Sequence, residues 1–163
     1  MVLLANKLAT ELEAMAPVAT EVEGIDNFAT AFENYFADSV VTAIPANPNS
    51  LTNSTSALKA AMPGANVDAA AAIQAGIIAF WGQVAVDFVL IWTTAPVLIA
   101  VVPPTGLGGI AAALNPVFVS NKDAALGLPA AAAQIAVALH PIQLGGIATL
   151  GPPPPSGTPV PIL

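Results

Sequence analysis

Cysteine and arginine are absent from this 163-residue chain, and its basic groups stop at Lys7, Lys59, Lys122 and a single histidine, His140. Each absence removes a class of function. Without cysteine there is no thiolate metal site, iron–sulfur cluster, catalytic thiol or disulfide scaffold, and one histidine does not build a zinc centre. Three lysines against ten acids give a formal net charge of −7. Such a chain cannot neutralise a run of phosphates, so direct nucleic-acid binding is not expected. Charged residues make up only 8% of the sequence, where about 25% is usual. The surface is therefore not covered by a shell of charge.

What is present is apolar and small. Hydrophobic residues account for 56% of the chain, with 35 alanines and 16 prolines. The length fits one domain, and a chain of this size buries roughly two-thirds of its unfolded surface. Core material is plentiful, but the outside is poor in groups that prefer water. Surface of that kind is expected to be covered by lipid or by other protein.

The charge is unevenly placed. Residues 1–38 hold seven of the ten acids and Lys7, whereas residues 39–163 are close to neutral. This divides the chain into an acidic amphipathic helical segment (1–43), a linker loop (44–56), a neutral Ala-rich helical body (57–150) and an extended Pro-rich tail (151–163). Lys7, Glu11 and Glu13 follow the apolar start too closely for a secretory apolar core, so no signal peptide is expected.

Leu4, Leu8, Leu12 and Met15 recur at helical spacing. A second helix is predicted to open at Pro17, with Val18, Val22, Ile25, Phe28, Phe32, Tyr35 or Phe36, and Val40 as its buried stripe. The composition of 44–56 reads as loop, followed by a short helical turn over 57–62 that Pro63-Gly64 stops. Asn66 or Asp68 then caps a long apolar helix running to about Thr93. Pro116 should kink or end the next helix, Pro129 should open the last one, and Pro141 should stop it just after His140. Residues 147–150 read as a short extended piece, and the tail as polyproline II.

Residues 69–102 carry a single charge, Asp87, and exceed the roughly 20 residues needed to cross a bilayer. The best window, 84–102, contains Asp87 and Pro96 and has no flanking lysine to set orientation. The reading favoured here is a central helix surrounded by other helices, with small residues allowing close approach and Trp81 and Trp92 supplying packing area. No motif carries chemistry. Glu11/Glu13 and Glu21/Glu23 are two apart and face different ways, His140 suits a helix C-terminus, and TGLGG lacks the lysine and spacing of a phosphate loop. No catalytic residue, cofactor or metal ligand is assigned.

The runs AAAAIQAGIIAFWGQ, PPTGLGGIAAALNPVF and NKDAALGLPAAAAQIAVALHPIQLGG, followed by a Pro-rich piece closing on PIL, together resemble small Ala/Pro-rich virion structural proteins of tailed bacteriophages. The likeness is one of order and composition. It implies a non-enzymatic component of a symmetric assembly in the tail, neck, baseplate or capsid surface. Its partners would be copies of itself or other virion structural proteins, and its location the virion.

The expected fold is mainly α, a compact bundle of about five helices with Pro/Gly-rich turns and an extended tail. The residues expected to make partner contacts are Trp81, Phe88, Trp92, Val160, Ile162 and Leu163. Two other readings stay open: a small integral membrane protein spanning at 69–102, and a secreted or surface interaction module.

Overall fold

The computed structural model describes residues 5–15, 18–37, 51–91, 98–124, 127–150 and 159–162. Among them are six α-helices and one small sheet, so the protein is mainly helical. The helices are α1 (Ala5–Glu13), α2 (Glu21–Ala37), α3 (Thr52–Ala61), α4 (Ala69–Ile91), α5 (Ile110–Ala124) and α6 (Leu128–Gln143). Each packs against the next in chain order, and α6 returns to pack on α1, so the six close into a ring. The lumen is filled at mid-height by aromatic rings. Phe32 and Phe36 from α2 meet Phe80 edge to face, each with centroids 5.0 Å apart, and Phe36 meets Trp81 at the same distance. One buried cluster runs from Leu8 to Ile162, so the acidic front and the neutral body share a core.

Local chemistry explains several boundaries. α2 starts at Glu21 rather than at Pro17, because Thr20 and Glu23 form a capping box. The Glu23 N–H donates to Thr20 Oγ1 at 3.3 Å, and the Thr20 N–H donates to Glu23 Oε2 at 3.1 Å. Pro17 itself lies outside the described residues. With this start, Val18 and Val22 are exposed instead of joining the stripe, which begins at Ile25 and Phe28. Val40 is outside the described residues. Asp68 caps α4, its Oδ1 accepting the Ala71 N–H at 2.9 Å.

Two expectations are corrected. The sequence expected a loop through Ser56, but α3 already begins at Thr52, because a carboxylate from α4 satisfies its first N–H groups. Pro141 does not stop its helix, and at Pro116, where a kink or an end was expected, the helix does not end. A proline inside a helix costs about 3 kcal/mol, and here the buried side chains of Leu114, Leu139 and Gln143 hold the two helices against the core. The apolar helix, expected to run to about Thr93, ends at Ile91, and within the window 84–102 the residues Leu98–Val102 form a strand, β1.

Strands β1, β2 (Ile147–Leu150) and β3 (Pro159–Pro161) form an antiparallel sheet in that order, with Val102 opposite Ile147 and Ile147 opposite Pro161. The Ile162 N–H donates to the Gly146 carbonyl at 2.9 Å, so even-numbered residues of this segment point their N–H groups at β2. The nitrogens of Pro159 and Pro161 therefore face outward. That outer edge offers no donor at either position, which blocks further strand pairing there. Within the tail, Pro159–Pro161 is extended but pairs as a strand of the chain's own sheet, where polyproline II was expected. Residues 151–158 lie outside the described residues.

α4 is the one described helix long and apolar enough to cross a membrane, over Ala69–Asp87. In the ring its Ile77, Phe80, Trp81 and Val84 are fully buried by neighbouring elements.

Candidate functional site

Of the residues expected to contact partners, two are committed to the interior. Trp81 is buried, and its Nε1–H donates to Gln143 Oε1 at 2.7 Å. Its ring lies so close over Gly146 that no side chain fits at that position. Ile162 is also fully buried, next to the strand pairing at Gly146. Neither is displayed to a partner, which corrects the sequence-based expectation: both are large apolar groups that the chain's own ring and sheet already enclose. Phe88 and Val160 are placed by backbone only, on α4 and β3, and Trp92 and Leu163 lie outside the described residues.

The polar groups inside the ring join helices to one another. Asp87, 2% exposed, accepts from the Asn53 N–H at 3.2 Å, Asn53 Nδ2 at 2.8 Å, the Ser54 N–H at 2.8 Å and Ser54 Oγ at 2.5 Å. It thus supplies from α4 the cap that Leu51, at the start of α3, cannot. Gln74 on the same helix accepts the Ala111 N–H at the start of α5, at 2.9 Å.

The Tyr35 hydroxyl and His140 Nδ1 are 2.8 Å apart and tie α2 to α6. Burial pushes the phenol up and the imidazole down from their ordinary ranges. Both shifts favour a neutral imidazole whose Nδ1 accepts the phenolic hydrogen. His140 is therefore a link between helices rather than a helix-end charge.

At the end of the ring where α1 finishes and α2, α4 and α6 begin, the lumen is open. A cavity of about 660 Å³ lies there. Leu12 and Met15 form one wall, Ile25 and Phe28 a second, Met62 and Ile73 a third, and Ala131, Ala132 and Ile135 the fourth. Polar groups on its lining are confined to Thr20, Glu21 and Asn66, and Glu21 is the one ionisable residue. Glu21 Oε1 accepts the Gly64 N–H at 2.5 Å, in a turn that Gly64 makes with φ +91°. No sequence signal marked this site. Alanines on α6 read as helix formers, yet at the lumen their single methyl groups leave space that larger side chains would fill.

No protein-family model, curated protein or solved structure matches this chain.

The cavity opens to solvent at the end of the ring, so an occupant gains by taking its apolar lining out of water, at about 25 cal/mol per Å². With polar side chains confined to Thr20, Glu21 and Asn66, the lining suits apolar groups.

A second surface differs in kind. On the outer side of α5 and α6, Ala112, Asn115, Pro116 and Val119 are exposed, as are Ala133, Gln134 and Val137. Val137 is 67% exposed beside a shallow depression bordered by Val117 and Ala138. Charge on these two helices is confined to Lys122 and Asp123, near the end of α5. Among the described residues no cluster of three metal-ligating side chains occurs.

Proposed function

We propose that this chain is a non-enzymatic structural protein of a large symmetric assembly, a tailed-bacteriophage virion, and acts by packing against copies of itself and other virion proteins. The observation that carries the reading is the uncharged outer face of α5 and α6, where Val119 and Val137 stand exposed among alanine, proline and amide side chains. About a quarter of an average domain's residues are charged, most of them on its surface, and this face has none. Copies that each carry −7 overall can meet there without bringing like charges together. The resemblance in order and composition to phage virion proteins supports the same reading.

Size-exclusion chromatography with light scattering tests it. The expected result is a defined oligomer that Val137→Lys or Val119→Glu dissociates while helical circular dichroism is retained. A strictly monomeric species at high concentration, unchanged by either substitution, refutes packing through this face.

A further inference from the structure

We propose that the cavity at the open end of the ring is a docking pocket for another protein, one that inserts a large apolar anchor carried on a basic segment. Three observations lead there. The first is the pocket, about 660 Å³ and walled by apolar side chains of four helices. That volume falls within the range of roughly 300–1,000 Å³ typical of ligand-sized sites and takes one or two large side chains.

The second is the collar. Val18 and Leu128 line the mouth and are exposed, at 43% and 50%. A small molecule would occupy the pocket and leave this apolar rim in water. A protein segment fills the pocket with its anchor and covers the rim with the residues on either side, the usual form of an interface hot spot.

The third is charge. Glu21 lines the pocket, Glu23 Oε2 accepts the N–H and hydroxyl of the lining residue Thr20, and Asp68 caps α4 beside the lining residue Ala69. These three carboxylates set the sign of the mouth, while Asp26, beside the lining residue Ile25, is paired with Lys59 at 3.0 Å. Complementarity then selects a partner with lysine or arginine flanking the anchor. A second copy of this chain, with three lysines, no arginine and a net charge of −7, is a poor match. The occupant is therefore a different protein, and the inference does not depend on copies packing through α5 and α6.

The test uses the full chain and three probes: a short fluorescent helical peptide of Leu, Trp and Lys, the same peptide with Glu for every Lys, and the neutral dye Nile red. The basic peptide is expected to bind one per chain, at least about tenfold more tightly than the acidic one, and to weaken as salt is raised. Ala131→Phe, which fills the pocket, should lower its affinity about tenfold. Val18→Ser combined with Leu128→Ser strips the collar at exposed positions and should weaken binding with the fold intact. Val137→Ser, on the outer face of α6, should leave binding unchanged.

Equal binding of the two peptides, binding of neither, or indifference to both pocket variants overturns the proposal. So does stoichiometric Nile red binding that the basic peptide cannot displace, which would make the pocket a small-molecule site.

Discussion

Asparagine in place of Asp87 is the most informative single change in the core, because it removes charge and one acceptor while keeping size. The carboxylate meets four donors on α3: the backbone N–H and side-chain amide of Asn53 on Oδ1, and the backbone N–H and hydroxyl of Ser54 on Oδ2. An amide keeps one acceptor oxygen, and its NH2 must face one of the two backbone N–H groups. The Ser54 hydroxyl can turn and accept, but a backbone N–H cannot. One donor left unpaired in the interior costs about 1–3 kcal/mol, and losing a negative charge at a helix N-terminus costs about 0.3–2 kcal/mol more. The expected loss is about 2–4 kcal/mol, or a fall in thermal midpoint of roughly 5–15 °C for a chain of this length. Urea unfolding followed by circular dichroism measures the loss, and hydrogen exchange at the Asn53 and Ser54 amides locates it. A change below about 0.5 kcal/mol, or unaltered protection at those two amides, would falsify the view that α3 is capped from α4.

Other consequences follow from single contacts. Burial holds His140 below its ordinary pKa, so the unfolded chain takes up its proton first as pH falls. The His140 contribution is therefore fully present above the unfolded value of about 6.5, and it is lost as pH drops from there through the lowered folded value. Denaturant midpoints measured between pH 7.5 and 5 should fall, and His140→Gln should flatten that slope; an unchanged slope removes the link to this residue. Gly146→Ala drives a methyl into the Trp81 ring and should cost about 1–3 kcal/mol by overpacking, with a shift in tryptophan emission. Gly82→Ala, on α4 with open space around it, should instead stabilise by about 0.5–1 kcal/mol, and a matched loss at both sites would contradict the packing described. Ile162→Ala should destabilise the fold by about 2–5 kcal/mol, whereas a tail that served only a neighbouring chain would leave monomer stability untouched.

The helical character was legible because it depends on local pattern. Leu8 and Leu12 on α1, and Phe28, Phe32 and Phe36 on α2, recur at helical spacing and are buried as that spacing predicts. What escaped the sequence depends on distant partners. The segment Thr52–Ser56 is loop-forming by composition and becomes helical beneath a carboxylate more than thirty residues away. His140 reads as a helix-end cation until its partner, Tyr35, is known, and the two are 105 positions apart. The end of α4 was legible to within two residues, but nothing in the apolar run Leu98–Val102 marked it as a strand, because the pairing with β2 decides that. The cavity was least legible of all. Its existence depends on the diameter of a closed ring, and no window of sequence contains a diameter.

The shortage of charge also acquires a direction. Acids crowd into the first 38 residues, and the fold gathers several of them around one open end, while α5 and α6 present a neutral face elsewhere. Packing through a neutral face adds −7 with every copy, so repulsion grows with the size of an assembly unless the acidic ends point into solvent or meet a cationic partner. The apolar pocket set among those same acids would supply the second outcome: a basic segment seated there would cover its lining and offset charge in one step. The order of events is then constrained. Self-packing through α5 and α6 should be limited by ionic strength in the isolated chain, extending as salt screens the acidic ends. Once the basic partner is seated, that salt dependence should diminish, because the charge it screened has been neutralised.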